Sequence, residues 1–167
     1  MNHSPPRFEL PAPGTRDYQL VREQWIDADR EAVFEFFSDP GNLERITPPW
    51  LAFRVLDPVP APLSVDTRIQ YRISLLGVPL RWVTRITAWE SGERFVDCQE
   101  RGPYAFWEHT HGFQPLGEGV LMTDCVRYRL PFGLLGRLVH ALWVHSALTR
   151  IFDYRFARIR ELFANAR

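Results

Sequence analysis

The hydrophobic pattern of the chain changes period once, and this change limits the fold more than any other feature. Six runs after residue 50 alternate apolar and polar residues, as half-buried strands do, and Gly, Pro or charged residues separate them. From Leu134 to Ala166 the apolar residues recur at helical spacing instead, with Leu138, Phe152 and Ile159 on one line. The sequence therefore predicts an antiparallel sheet whose apolar face is covered by one long C-terminal helix.

A further strand and two short helices are predicted before these runs. Asp27 or Asp29 is placed to cap the first helix, and Pro40 follows its end because proline cannot continue a helix. The second helix is predicted over Leu43–Ile46, and the whole order indicates an α+β fold. The seven predicted strands are Tyr18–Ile26, Leu51–Leu56, Arg68–Ser74, Leu80–Trp89, Phe95–Gln99, Phe106–Phe113 and Val120–Leu130.

Length and charge fit one domain and exclude several kinds of function. The proline-rich residues 1–16 are predicted to form a disordered tail, and residues 17–167 a single domain. All 20 cations are arginine, so the chain has no lysine for a Schiff base or for a phosphate-binding P-loop. The formal net charge is zero, which argues against a nucleic-acid-binding protein.

The cellular location is predicted from hydropathy and from the cysteines. No apolar run approaches the ~18 residues that a membrane-spanning helix needs. The first 16 residues also lack the apolar segment of a secretion signal. Cys98 and Cys125 fall on predicted strands that are not neighbours, so no disulfide is expected between them. These features predict a cytoplasmic protein with free thiols.

Alternation along the strands assigns the side chains that face the helix. Most of the strand arginines, such as Arg81 and Arg85, fall on the opposite face, which is typical of a solvated outer surface. A curved sheet under a long helix leaves room for a cavity between the two. The strand residues predicted to line it are Tyr71, Leu80, Trp82, Ile86, Trp107, His109, His111, Asp124 and Tyr128.

The two ends of the predicted sheet differ in polarity. At one end the turns are charged, as in Glu90–Glu93, whereas four apolar connections meet at the other end. A monomer rarely exposes such an apolar patch without a use. The connections either form the mouth of the cavity with Trp50 beside it, dock on a membrane or partner, or pack on one another. They are Pro48–Trp50, Leu75–Pro79, Gly102–Tyr104 and Leu130–Leu135.

Six short motifs carry a resemblance to a known superfamily. They are Val33–Pro40, Ile46–Pro49, Gly102–Tyr104, Trp107–Phe113, Thr123–Tyr128 and Phe152–Arg155. In this order they resemble the bacterial SRPBCC ligand-binding proteins of the START/Bet v 1-like superfamily, which includes polyketide cyclases and coenzyme Q-binding proteins. The resemblance implies a helix-grip fold, in which a seven-stranded antiparallel sheet wraps around a long C-terminal helix and encloses a hydrophobic cavity. Because such relatives include carriers, sensors and enzymes, the fold alone does not define the function.

Two histidines and an aspartate form the main polar candidate site. His109 and His111 share one face of a strand, and a tight turn is expected to bring Asp124 opposite His111, with Cβ atoms ~5 Å apart. Three roles stay open: a structural or ligand-orienting cluster, a general base made of His111 and Asp124, or a metal site. Two histidines on one strand without a stronger third ligand are a weak metal signal, so no metal is predicted.

The last helix supplies two further candidate ligand-binding residues, Phe152 and Arg155. Arg155 lies about one turn beyond Phe152, near the inward side of the helix. Its guanidinium could hold a carboxylate or carbonyl of a ligand, pair with a buried acid such as Asp124 or Asp97, or extend to the rim. These three alternatives stay open at the level of the sequence.

The predicted function is the binding of a small hydrophobic or lipid-like molecule, as a carrier or sensor, without a cofactor. The alternative is a cofactor-independent enzyme similar to a polyketide cyclase or dehydratase, with His111 and Asp124 as its base. A third hypothesis is a regulatory module that docks on a membrane or a protein. It would dock through the apolar end of the sheet. Residues 134–167 favour a membrane there, because their six arginines and two acids give a net charge of +4 and their first half is apolar nearly all round.

Overall fold

The computed structural model describes residues 6–9, 17–58 and 63–164. Within these residues, eight strands form one open antiparallel sheet in the order β1-β2-β8-β7-β6-β5-β4-β3. The helices are α1 (Arg30–Ser38), α2 (Pro40–Ile46), α3 (Gly133–Val139) and α4 (His145–Ala164). The strands are β1 (Arg7–Glu9), β2 (Tyr18–Ile26), β3 (Arg54–Val55), β4 (Arg68–Leu75), β5 (Val78–Glu90), β6 (Arg94–Arg101), β7 (Phe106–Leu116) and β8 (Gly119–Arg129). This is the α+β architecture that the sequence predicts, with a sheet wrapped around a long C-terminal helix.

The sheet has one strand more than the seven predicted. Strand β1 lies within the segment predicted to be a disordered tail, where Arg7–Glu9 pairs with Gln19–Val21 of β2. The prediction is therefore wrong for these three residues, while residues 1–5 and 10–16 lie outside the described part of the chain. A three-residue strand between prolines is too short to show a period of two, and only the partner strand reveals it.

The predicted strand Leu51–Leu56 is mostly replaced by a turn. Pro49–Leu51 forms one turn of 3-10 helix, and Ala52 after it has a left-handed backbone with φ of 42°. Only Arg54–Val55 then pairs with β4. The turn buries Leu51 and leaves Trp50 exposed.

Aspartates begin both short helices. The Asp29 carboxylate accepts a hydrogen bond from the Glu31 backbone N–H at 2.8 Å, which satisfies a donor that the helix itself leaves free. Asp39 ends α1 in an extended conformation and caps α2 by accepting from the Gly41 N–H at 2.8 Å. The two helices thus follow each other at an angle, and α2 packs on the C-terminal helix.

The C-terminal helix contains one irregular segment. Residues His140–Val144, between α3 and α4, have the wider π-helical hydrogen bonding. Within this turn His140 is buried, shares a 2.7 Å hydrogen bond with the Tyr128 hydroxyl, and stacks on Tyr18. The predicted end of the helix at Ala166 lies outside the described residues. No helix of the described chain has the length and hydropathy that crossing a membrane requires.

In the described part of the chain, two groups of buried apolar side chains form the core. One lies between α1, α2 and the charged end of the sheet, and includes Val33, Phe34, Phe113 and Met122. The other lies between β2, β8 and α4, and includes Leu20, Val126 and Leu148. Side chains of both groups face a cavity under the C-terminal helix.

Candidate functional site

The cavity between the sheet and the C-terminal helix has a volume of about 450 Å³. This lies within the range of about 300–1,000 Å³ that is usual for small-molecule sites. Its wall is mainly apolar, with Ile69, Ile73 and Ile86 on the sheet side and Leu148 and Phe152 on the helix side. A molecule with a large apolar part can therefore fill it.

Eight of the predicted ligand-binding residues line this cavity. They come from β4, β5 and β7 of the sheet and from α4, as the alternation of the strands and the helical spacing predict. The eight are Tyr71, Trp82, Ile86, Trp107, His109, His111, Phe152 and Arg155.

The cavity wall does not include the four other predicted ligand-binding residues. Trp50 is exposed, packs edge-on against Tyr154 and lies under the Arg150 guanidinium. Leu80 is half-buried on β5 beside Ile73, outside the lining. Tyr128 is buried in contact with His140, and Asp124 is buried behind the two histidines. Asp124 thus reaches a ligand only through the groups that it binds.

Asp124 is the centre of a buried polar cluster. As the alternation predicts, it lies directly opposite His111 in the pairing of β7 with β8. One carboxylate oxygen, Oδ1, accepts a hydrogen bond from His109 Nε2 at 2.7 Å and from the Arg155 guanidinium at 3.5 Å. His111 Nδ1 lies 3.0 Å from the same oxygen without the alignment of a hydrogen bond. Nitrogen atoms of three side chains therefore converge on one oxygen.

Asp97 extends the cluster to the cavity surface, and sequence reasoning considered it only as a partner for Arg155. Its Oδ2 lies 3.2 Å from His111 Nε2, and its Oδ1 accepts a hydrogen bond from the Thr84 hydroxyl at 3.3 Å. Asp97 also lies directly opposite His109 in the pairing of β6 with β7. An acid on the inward face of a strand beside His109 is the sequence signal that could have identified it.

Burial and nearby positive charges shift the pKa values of Asp124 and Asp97 in opposite directions. Burial by itself raises the pKa of Asp124, but Arg155 and the two histidines outweigh it, and the pKa lies well below its usual range. The pKa of Asp97 is also lowered, because its contacts with His111 and His109 outweigh the effect of burial. Both groups are therefore carboxylates at neutral pH.

The pKa values of the two neighbouring histidines are shifted in opposite directions. Burial and the adjacent His111 lower the pKa of His109. Burial also disfavours the cation of His111, but its contacts with Asp124 and Asp97 outweigh it and raise the pKa. Two carboxylates thus face Arg155 and a His111 that favours its cationic form, while His109 favours its neutral form.

The raised pKa of His111 should make the stability of the protein depend on pH. A histidine whose pKa is higher in the folded state contributes stability below its unfolded pKa of about 6.5 and loses it as the pH rises through the folded value. We therefore expect His111→Gln to reduce the free energy of unfolding more at a pH of about 6.5 than at a pH of about 9, as measured by urea unfolding. A reduction that is constant or grows with pH would contradict this assignment.

Asp97, His109 and His111 could also be considered as metal ligands, because one ligand atom from each lies within 4.8 Å of the others. The sequence suggested Asp124 rather than Asp97 as the third member. In the structure, however, His109 and His111 already contact carboxylates, and the Arg155 guanidinium lies 3.5 Å from Asp124. A second cation there would meet this positive charge, so the residues fit a hydrogen-bonded cluster better than a metal centre.

An aromatic wall adjoins the polar cluster. Trp82 stacks on Tyr71 and meets Trp107 edge-on, with ring centroids 5.9 and 5.4 Å apart. Tyr104, which the sequence placed only in an apolar loop, also lines the cavity, and the Gln99 side chain holds its backbone N–H and C=O. Burial raises the pKa of Tyr71 and of Tyr104, so both keep their hydroxyl protons.

The indole of Trp82 is the most informative polar group in this wall. Trp82 is buried, and its Nε1 has no hydrogen-bond partner among the described residues. A buried donor without a partner costs about 1–3 kcal/mol. A ligand or water with an acceptor atom would remove that cost.

Comparisons with known proteins agree with the fold, a sheet wrapped around a long C-terminal helix. The family described as polyketide cyclase / dehydrase and lipid transport matches residues 19–164. The structure is similar to that of TTHA0849 from Thermus thermophilus, with 22% identity, a TM-score of 0.66, and coverage of 89% of this chain and 99% of that one. It is also similar to Ms6760 from Mycobacterium smegmatis, with 15% identity, a TM-score of 0.68, and coverage of 98% and 99%.

A third structure, Ara h 8.0201, has 11% identity and a TM-score of 0.56 over 86% of this chain and 97% of that one. Identities this low show a shared fold and carry no information about ligands. No curated protein shows significant sequence similarity to the chain.

Proposed function

The chain belongs to the polyketide cyclase / dehydrase and lipid transport family, and from this premise we propose that it binds one small, largely apolar molecule with a polar end. The observation that carries the proposal is the cavity of about 450 Å³ under the C-terminal helix. Most of its wall is apolar, which favours a molecule that is poorly soluble in water. Enclosure of such a molecule is what a carrier or a sensor requires.

The polar groups of the wall are concentrated rather than scattered. Thr84, Asp97 and His111 form a continuous series across β5, β6 and β7, and Arg155 faces them from α4. This arrangement gives the cavity one polar region, and the rest of the wall is left for an apolar chain or ring system. A ligand would therefore bind in one orientation.

The donors in the wall favour a ligand whose polar end accepts hydrogen bonds. The Arg155 guanidinium has donors beyond the one directed at Asp124, and Trp82 Nε1 is buried without a partner among the described residues. A carbonyl or carboxylate suits both groups, because an arginine fork binds such oxygens with charge-assisted hydrogen bonds. We therefore assign the ligand to apolar molecules with a carbonyl or carboxylate end.

This assignment is testable with anilinonaphthalene sulfonate, a fluorescent probe that has apolar rings and one anionic group. The native protein should bind it, and Arg155→Gln should weaken binding about tenfold because a charge-assisted hydrogen bond contributes about 1.5–3 kcal/mol. Arg158→Gln, on the same helix but outside the cavity lining, is the control and should bind normally. Equal affinities in all three proteins would reject the role of Arg155.

His109, in place of the His111 that the sequence predicts as the base, supports a second candidate function, that of a cofactor-independent cyclase or dehydratase. It faces the cavity, has a lowered pKa, and binds Asp124 through Nε2 at 2.7 Å, so a neutral imidazole oriented by a carboxylate meets the ligand. The two roles differ in what leaves the cavity. A carrier releases the molecule that it bound, whereas an enzyme releases one of altered structure, and only the second result should depend on His109.

A further inference from the structure

Large apolar side chains are exposed at one end of the molecule, and we call them the apolar rim. They lie in the turn between β4 and β5, before α3, and along the C-terminal helix as far as residue 142. Three of them, Leu76, Phe132 and Leu134, are 79–80% exposed. The rim consists of Leu76, Val78, Phe132, Leu134, Leu135, Leu138 and Leu142.

The topology of the sheet places these residues together. Strand β4 ends at Leu75, β6 at Arg101 and β8 at Arg129. Because neighbouring strands are antiparallel, these three strand ends lie at the same end of the sheet. Helix α3 begins directly after β8, at Gly133. The rim is therefore one surface, and it is the apolar end that the sequence predicts.

The backbone holds two rim residues outward at some cost. Leu76 has φ of 52° and Phe132 has φ of 67°, a left-handed conformation that large side chains rarely adopt. Strained residues of this kind persist where the surrounding structure imposes them, and they concentrate at functional sites. In α3 and the π turn, Leu134, Leu138 and Leu142 recur every four residues and form an apolar stripe that faces solvent. A helix normally buries such a stripe.

The charges beside the rim are mostly positive. Asp17, just before β2 at the same end of the sheet, is paired with Arg129 at 3.0 Å. Residues 48–53, 73–84, 101–107 and 129–152, which build this end, contain no aspartate or glutamate. Arg81, Arg101, Arg137 and Arg150 are exposed there, and none of them has an ion pair with a described carboxylate. The opposite end of the sheet carries acids in its turns, among them Glu93 and Glu118.

We propose that the apolar rim docks on an anionic lipid bilayer. Exposed leucine and phenylalanine side chains would enter the boundary of the hydrocarbon region, and the arginines would meet lipid phosphates, as in helices that lie in the membrane interface. A surface of aliphatic side chains with an excess of arginines matches a negatively charged membrane, because the arginines can meet the lipid headgroups and Asp17 is already paired with Arg129.

Docking also positions the cavity. Phe132 and Leu135 belong to the rim and line the cavity as well, as does Val139 beside them. A bound membrane would therefore lie over the cavity opening, and an apolar ligand could move between lipid and cavity without crossing water. This exchange rests on the proposed function, whereas docking itself does not depend on any ligand.

The test is flotation of the full chain with phosphatidylcholine vesicles that contain or lack phosphatidylglycerol. We expect the native chain to bind vesicles that contain phosphatidylglycerol. Arg137→Gln and high salt should weaken this binding, and Leu134→Asp should lower the affinity for these vesicles about tenfold. Leu116→Asp is the matched control, since Leu116, the last residue of β7, is 51% exposed at the opposite end of the sheet, and this variant should float like the native protein.

Several results would overturn the proposal. They are failure of the native chain to float, equal flotation of Leu134→Asp, an equal loss with Leu116→Asp, or a rim that only joins two copies of the chain in size-exclusion chromatography. Leu134 does not line the cavity, so Leu134→Asp should still bind the anilinonaphthalene probe. Loss of flotation with normal probe binding separates failure of docking from failure of the proposed function.

Discussion

Replacement of Asp124 with asparagine should lower the free energy of unfolding by about 3 kcal/mol, the usual cost of removing one partner from a buried ion pair. Its Oδ1 is shared by His109, His111 and Arg155 at distances of 2.7–3.5 Å. Asparagine keeps the size of the side chain and one acceptor oxygen but removes the negative charge. The Arg155 guanidinium would then remain inside the protein with less compensation, which is the source of the expected loss.

Asp66→Asn is the matched control for this experiment. The Asp66 side chain is 69% exposed and binds Arg85 at 2.9 Å on the surface, where an ion pair contributes about 1 kcal/mol or less. Urea unfolding at neutral pH measures both variants against the native protein. Equal losses in the two variants would show that the buried cluster contributes no more than an ordinary surface pair.

Replacement of Ile73 with tryptophan should reduce the affinity for the anilinonaphthalene probe about tenfold or more. Ile73 is buried on β4 and lines the cavity, so the larger indole would occupy space that the ligand needs. Shape changes of this size in an apolar pocket alter binding by about one to two orders of magnitude. The existing cavity can receive the added atoms, so stability should change by less than the ~1–3 kcal/mol of an overpacked core.

Val83→Trp is the matched control, because it makes a comparable increase in side-chain size on β5, on the face of the sheet that is directed away from the cavity. Val83 lies between the inward residues Trp82 and Thr84 and does not line the cavity, so this variant should bind the probe like the native protein. Fluorescence titration compares the three proteins, and thermal unfolding checks that each is folded. If Ile73→Trp kept native affinity, the probe would bind elsewhere on the molecule.

Most of the fold could be predicted from the sequence, because the hydrophobic period identifies strands and helices and the Gly, Pro and charged residues between them mark where they end. The predicted strand Tyr18–Ile26 coincides with β2, and the tight turn at Gly117 allowed the pairing of His111 with Asp124 to be derived. Strand β1 was missed because three residues carry no period. Trp50 was predicted to bind the ligand, but its neighbour Leu51 is the residue that lines the cavity. The 3-10 turn that buries Leu51 gives no signal in the alternation of the sequence.

The polar site was only partly predictable for a different reason. The inward position of Asp97 follows from alternation, but its distance from His111 depends on the register between β6 and β7, in which Asp97 lies opposite His109, and no local pattern in the connection between these strands defines that register. The direction of Arg155 depends on how α4 packs over the sheet. Of the three alternatives for this side chain, the structure shows a pair with Asp124 and a position in the cavity wall.

Native mass spectrometry of the chain purified without detergent tests the central claim most directly. We expect a mass above that of the 19.6 kDa polypeptide by one small molecule, which organic solvent removes and which is missing from Ile73→Trp. Release of an apolar molecule with a carbonyl or carboxylate end would agree with the donors of Arg155 and Trp82. The bare polypeptide mass, together with no uptake of the anilinonaphthalene probe, would contradict a ligand-binding cavity.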